Sequence, residues 1–233
     1  MERIILIETS TSLCSVALAE NGNITAYRES SAPKAHASLT AVFVQEVLEE
    51  KGIKLSDCDA ICVSMGPGSY TGLRVGVSTA KGLCFGSGKP LLAVGTLDTL
   101  VAQASAEETA SAAGVNFKYI IPMIDARRME VYSAVFEAGK GQITKTTPTI
   151  VDENSYAEYL KQGPVLFIGD GAGKCADAIK HPNAHFCQCN PKASAMLTPA
   201  MQAYNEKRFE DVAYFEPFYL KEFVATVSKK KLF

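Results

Sequence analysis

Gly66-Pro67-Gly68-Ser69 stands directly before a helical stretch in "MGPGSYTGLRVGVSTAKGLCFG". The first backbone N–H groups of a helix lack internal partners and carry partial positive charge, so a glycine turn placed there can cradle a phosphate. The competing reading is that these glycines only make a tight turn. A second set has the same character: Gly169, Gly171 and Gly173 follow the short apolar run "VLFIG". Acidic residues close two other apolar runs, Glu8 after "RIILI" and Asp125 after "YIIPMI". Two glycines alone are weak evidence, but acids and glycines at matched places in the chain point to an ancestral nucleotide site.

Other constellations carry less. "HPNAHFCQC" places His181, His185, Cys187 and Cys189 together as a zinc site would, yet Pro182 and Asn183 interrupt any helix through both histidines. On a strand, His185, Cys187 and Cys189 share a face but stand roughly 6.5–7 Å apart at each step, too far for tetrahedral zinc. Packed side chains on a sheet are the expectation, and no metal. Ser64 and Ser69 have no histidine in motif spacing, so acyl-enzyme and peptidase chemistry find no support. Asp125-Ala126-Arg127-Arg128 reads equally as a cleft carboxylate paired with arginines or as a strand-end turn held by local charge pairs. His36 reads as an exposed residue at a helix start.

The elements that must position these residues repeat. "RIILIETS", "LCSVALAE" and "NITAYRES" are three strands, the last two joined at Asn21-Gly22, a hairpin signal. A helix over 36–51, the strand "AICVSM", a helix over 70–86, the strand "PLLAVG" and a helix over 96–104 complete the order βββαβαβα. From Phe117 the order returns: "YIIPMIDA", "EVYSAVFE", "ITKTTPTI", a helix over "SYAEYLKQ", "VLFIG", another helix, "AHFCQC" and a last helix over 194–207. The small polar stretch "AEETASAAG" is the expected junction, dividing a lobe at 1–108 from a lobe at 109–233 with a C-terminal tail.

The 233 residues have an ordinary apolar share of 47% and a formal net charge of −2, so no chain-wide field draws the protein to nucleic acid or anionic lipid. Lys229, Lys230 and Lys231 form the one basic cluster, and an RNA partner would be held mainly by another subunit. Seven cysteines without framework spacing, an N-terminal apolar run too short for a signal peptide and no membrane-length stretch predict a cytoplasmic protein.

Two helices carry more apolar surface than one sheet face needs. In the first, Leu39, Phe43 and Val47 point one way while Ala41, Val44 and Leu48 lie about 140° around. In the second, Gly72, Gly76 and Ala80 form a ridge of small side chains, and Arg74, Ser78 and Lys81 share a narrow polar stripe. Coverage by a neighbouring helix of the same lobe would explain both stripes. Two adjacent helices with surplus apolar faces point instead to a helix-on-helix contact with a second protein through Leu39, Phe43, Val47, Tyr70, Leu73, Arg74, Gly76, Val77 and Lys81. On that expectation Leu73→Glu or Val77→Glu abolishes pairing with the fold largely intact.

A duplicated α/β unit with mixed sheets and a cleft is the plan of the two-lobed actin-like ATPase (ASKHA) fold. In that superfamily the first-strand acid is usually Asp; Glu8 is one methylene longer, and magnesium tolerates little displacement from octahedral geometry. The expectation is a vestigial nucleotide cleft at Glu8, Gly66, Gly68, Gly169 and Gly171, with no cofactor required, ATP or ADP bound weakly at most, and no catalytic residue. Together "IETSTSLCSVAL", "HASLT", "SMGPGSYTGLRVGVSTAKGL", "VGTLDTL", "IDARRMEVY" and "FYLKE" resemble the TsaB family, partner subunits of the bacterial machinery that makes threonylcarbamoyl-adenosine in tRNA.

The resemblance spans nearly the whole chain. It implies pairing with TsaD, a paralogue that performs the transfer at adenosine 37 with a metal held by His-x-x-x-His, and joining of the small ATPase TsaE at the pair. At the matching positions this chain has Thr96 and Leu100. It implies a non-catalytic subunit, a homodimer through the same helices when alone, and contact with tRNA only indirectly through the complex. An active phosphotransferase of sugar-kinase type and an independent homodimer are the alternatives. The tail, "FEPFYLKEFVATVSKKKLF", has two open destinations, the first lobe or a partner.

Overall fold

β1 (Arg3–Glu8) is almost wholly buried, and its alternation serves two cores at once: Ile5 and Ile7 enter one, Ile4 and Leu6 the other. Such a run belongs at the centre of a sheet covered on both faces. The computed structural model, which describes residues 2–106 and 115–221, places it there. β1 pairs antiparallel with β2 (Cys14–Glu20), with Ile5 opposite Leu18, and parallel with β4 (Ala60–Gly66), with Ile5 opposite Ile61. β3 (Asn23–Ser30) and β5 (Leu91–Gly95) complete the order β3-β2-β1-β4-β5. The β2–β3 hairpin turns at Asn21 (φ 49°) and Gly22 (φ 74°), both in the left-handed region its two-residue loop demands.

The second sheet repeats the first. β6 (Tyr119–Asp125) lies between β7 (Glu130–Ser133) and β11 (Val165–Gly169), in the order β10-β7-β6-β11-β12 with β10 (Thr147–Ile150) and β12 (Ala184–Gln188) at the edges. The added hairpin β8 (Phe136–Glu137) and β9 (Gly141–Gln142) pairs on to β6. β11 again alternates between two cores, Val165 and Phe167 facing one, Leu166 and Ile168 the other. The duplicated βββαβαβα unit is therefore present, with a two-strand insertion in its second copy.

Helices α1 (Ala35–Glu50) and α2 (Tyr70–Ser87) lie side by side on the outer face of the first sheet; the short α4 (Ala157–Leu160) and α5 (Ala172–Cys175) cover the outer face of the second. The inner faces are covered crosswise. α3 (Thr96–Ala106) follows the first sheet in the chain but packs Leu97, Leu100 and Ala104 on the second, against Ile124, Leu166 and Ile168. α6 (Leu197–Asn205) and the 3-10 turn before it return the exchange, setting Ala193, Met196, Ala200 and Ala203 against Ile4, Leu6 and Leu92. A cut at 108/109 gives each half its own sheet and separates each crossing helix from the sheet it covers. The expected junction falls largely at 107–114, and Lys229, Lys230 and Lys231 in the tail also lie outside the described residues.

Candidate functional site

The carboxyl ends of β1, β4, β6 and β11 carry the acids and glycines singled out by the sequence, the end of an α/β sheet where ligands usually bind. Glu8 is fully buried; its Oε1 accepts the Ser10 N–H at 2.6 Å, and its Oε2 has no partner. Burial pushes its carboxyl up from 4.5 to about 7, opposed in part by its contacts with Ser10. Ser64 Oγ lies 2.9 Å from Thr96 Oγ1 at the start of α3.

The glycine turns are filled by the chain itself. A Cβ on Gly68 would lie 2.3 Å from Ser10 O, and the Ser69 N–H already donates to that oxygen at 2.6 Å. On Gly66 a Cβ would meet Leu73 and the carbonyl of Phe218. The second lobe repeats the arrangement: a Cβ on Gly169 would lie 2.2 Å from Met123 O, and one on Gly171 would meet Val131 and the Asp125 nitrogen. Gly68, Gly169 and Gly171 are glycine because each packs on the end of its lobe's first strand. This corrects the cradle reading of Gly66 and Gly68, since the donor and the space a phosphate would use are taken. Beside the first turn, Gly66, Pro67, Gly95, Asp98, Arg208 and Phe218 line a cavity of about 230 Å³. That is below the roughly 300–1,000 Å³ of ordinary small-molecule sites.

The helical surface also needs correction. Phe43, Val47, Leu73, Gly76 and Val77, expected at a partner interface, are buried within the first lobe. Adjacent helices on one sheet each need two apolar stripes, one for the sheet and one for the neighbour, and this accounts for the apparent surplus. Leu39 packs partly buried against the same core. Gly76 is small because Thr9 Oγ1 would stand 2.2 Å from its Cβ, so the ridge receives the β1–β2 turn and not a partner helix.

Tyr70, Arg74 and Lys81 meet the chain's own C-terminal segment. Lys81 Nζ donates to the carbonyls of Ala213 and Phe215 at 3.1 and 3.0 Å, Arg74 Nε to Tyr219 OH at 3.2 Å, and the Tyr70 and Tyr219 rings lie 5.0 Å apart. The tail thus folds back on the first lobe as far as Tyr219, and Lys221 beyond it meets the second. Among the residues that α1 and α2 leave outside are Ala41, Val42, Gln45, Thr71, Ser78, Gly82 and Phe85. Phe85 is 89% exposed, the largest value among the described large apolar side chains. Nothing in the sequence marks it, because a phenylalanine in an apolar helix passes for core.

At the second-lobe rim, Lys174 Nζ donates to Asp125 Oδ1 at 2.6 Å and to Glu130 O at 2.7 Å, and Lys221 pairs with the Glu130 carboxylate. Asp125 therefore takes a lysine and not the arginines beside it. Asp170, pushed up to about 6 by burial, accepts the Asp125 N–H at 2.9 Å. Arg127 and Arg128 are exposed and held at φ 70° and 50° in a turn closed by Glu130 N–H to Arg127 O. Left-handed backbone costs a non-glycine residue roughly 1–2 kcal/mol. Thr96 is buried and Leu100 is fully buried in the second-lobe core, where it offers no atom to a metal. His185 and Cys187 lie on strand β12 as expected, His185 edge-on to Phe117 and Cys187 against the apolar core.

Two sheets of identical order, exchanging helices across a cleft whose turns are closed by glycine packing, define a protein of the actin-like ATPase fold. The activator of 2-hydroxyisocaproyl-CoA dehydratase from Clostridium difficile, solved with bound ADPNP, shares that fold at 10% identity and a TM-score of 0.50, over 88% of this chain and 96% of its own. YeaZ from Pseudomonas aeruginosa is far nearer: 27% identity and a TM-score of 0.79, over 94% of this chain and 100% of that one. The family model for TsaD, tRNA N6-adenosine threonylcarbamoyltransferase, matches residues 28–229. The tRNA threonylcarbamoyladenosine biosynthesis proteins TsaB of Escherichia coli and Haemophilus influenzae are 31% and 36% identical, covering 96% and 98% of this chain and 96% of each relative. The chain belongs to the TsaB family, and with it to tRNA threonylcarbamoyladenosine biosynthesis.

Proposed function

We propose that this chain is the non-catalytic subunit of a tRNA threonylcarbamoyltransferase, pairing with a TsaD-type paralogue through the outward faces of α1 and α2. The observation that carries the reading is Phe85, an exposed aromatic ring whose nearest outward neighbours along α2, Ser78, Gly82 and Gly86, are too small to obstruct an approaching helix. Exposed aromatic anchors of this kind dominate protein interfaces. Val42, 41% exposed, is the corresponding exposed large apolar side chain on α1.

Residues 1–108 and 109–233 serve as the two lobes, and the cleft between them is a vestige that needs no nucleotide or metal. Leu100 supports a non-catalytic role, because the position at which the paralogue would ligate its metal is here part of a core. The transfer chemistry and most of the hold on tRNA belong to the partner, and the ATPase TsaE joins the pair in the cytoplasm. Alone, the chain dimerises through the same surface. No described helix is long and apolar enough to cross a membrane.

The test is light scattering on the chain alone and mixed with its TsaD paralogue, for the unmutated protein and for Phe85→Asp with Val42→Asp. The expected result is a heterodimer that replaces the homodimer, and loss of both species in the double variant at an unchanged thermal midpoint. Pairing that survives both changes places the surface elsewhere. ATP turnover by the lone chain supports the phosphotransferase alternative instead.

A further inference from the structure

The Arg127–Arg128 turn is the described segment whose backbone and charge are least explained by the protein's own packing. Two consecutive arginines occupy left-handed backbone at a hairpin tip, positions that favour Gly, Asn or Asp. Strain of this kind persists where function requires particular side chains. Neither guanidinium has an ion pair or hydrogen bond among the described residues, although Asp125 and Glu130 flank them. Those carboxylates are committed: Asp125 to Lys174 and to the Arg127 N–H, Glu130 to Lys221. Lysines from two other segments thus neutralise the turn's acids and leave two uncompensated positive charges at its tip.

We propose that Arg127 and Arg128 bind consecutive phosphates of the RNA backbone, giving this subunit a direct contact with tRNA. Guanidinium suits phosphate because its planar fork can donate two hydrogen bonds to one anion. Arg127, Arg128 and Met129 all stand exposed, so the contact is a protruding tip and not a pocket. A free nucleotide needs enclosure, whereas an RNA backbone is met by exposed cations and supplies a phosphate for each guanidinium. The place of the turn, at the carboxyl end of β6, puts it on the cleft rim beside Lys174 and Lys221.

The inference rests on the reading that the chain acts on tRNA beside a TsaD-type subunit, so binding is measured for the lone chain and for the pair. The probe is an unmodified tRNA transcript, titrated at several salt concentrations against the unmutated chain, Arg127→Gly/Arg128→Gly and Arg127→Lys/Arg128→Lys. The glycine variant is expected to lose on the order of 10-fold in affinity and about 2 in the slope of log K against log salt, one for each phosphate contact removed. The lysine variant should keep most of the slope. Because glycine adopts left-handed backbone freely, the glycine variant should melt no lower than the parent, which a purely structural role would not produce.

Unchanged affinity and slope overturn the proposal. So does a loss confined to labelled ATP, which would make the ligand a nucleotide, or a loss of pairing by the glycine variant, which would place the turn in a protein interface. Failure of the unmutated chain to pair would count against the subunit reading, and the lone-chain titration would still report on the turn.

Discussion

Gly72 and Thr9 are in backbone contact: Thr9 Oγ1 donates to Gly72 O at 2.9 Å, and a Cβ on Gly72 would lie 2.1 Å from Thr9 O. The β1–β2 turn is thereby seated on α2. Gly72→Ala should destabilise the protein despite alanine's better helix propensity, because backbone must move to admit a methyl group in a packed core, at about 1–3 kcal/mol. Gly82→Ala on the same helix meets nothing within 4 Å and should stabilise by about 0.5–1 kcal/mol. Urea unfolding of both variants measures the contrast. Equal effects would mean the turn does not need this approach.

Glu8 makes stability depend on pH in an unusual direction for a carboxylate. Its folded pKa of about 7 lies above the ordinary 4.5, so the folded state holds the proton more tightly than the unfolded chain. Stability is therefore greatest below about pH 4.5 as far as this group is concerned, and it falls as pH rises through 7. The loss approaches about 3 kcal/mol at full ionisation. Glu8→Gln should remove this slope and raise the unfolding midpoint at pH 8, while tRNA modification by the reconstituted complex stays unchanged. Loss of modification with an intact pair would reveal chemistry at Glu8.

Much of the fold was legible because β1, β6 and β11 are runs whose two faces are both apolar, a pattern that only a central strand satisfies. Asn21-Gly22 fixed a hairpin through its backbone preference. The crossing of α3 and α6 was not legible, since Leu100 and Ala200 are equally apolar whichever sheet they cover. The docking surface was misread for a related reason: Phe43, Leu73 and Val77 look like surplus until α1 and α2 are known to lie against each other on one sheet. Leu73→Glu or Val77→Glu would bury a charge in the first-lobe core and unfold it, so neither variant tests pairing. Phe85 escaped notice because helical position alone does not reveal which neighbour stops short of it.

Gln103 joins the lobes. Its side chain is 2% exposed; Nε2 donates to Asn190 O at 3.2 Å, and Oε1 accepts the Lys192 N–H at 3.2 Å. A helix from the first half thus holds the segment that leads α6 back to the first sheet. Gln103→Ala removes both partners at once, and buried polar groups left unpaired cost about 1–3 kcal/mol each. Calorimetry should show a lowered midpoint, and hydrogen exchange should rise at 190–193 before it rises in β1. Uniform loss of protection along the chain would mean that the lobes are held by packing alone.

The C-terminal segment is tied to α2 by a single cation at its upstream end. Lys81 Nζ donates to the carbonyls of Ala213 and Phe215, while Val212 and Phe215 rest partly buried on the first-lobe core. Farther along, the Phe218 N–H bonds Met65 O at 2.8 Å and Lys221 reaches Glu130 across the cleft, so one strand of chain bridges both lobes. Lys81→Met keeps the aliphatic stem and deletes the donor. Because the ammonium is only half-buried, the cost should be about 1 kcal/mol, less than a buried charged hydrogen bond would give. Its effect should be local, since neither sheet depends on residues 213–221 for pairing. Limited proteolysis of Lys81→Met should cut within 208–221 several-fold faster than in the parent, with the sheets still protected, and Lys81→Arg should restore most of the resistance. Equal cleavage rates would show that the apolar contacts of Val212 and Phe215 hold the segment by themselves.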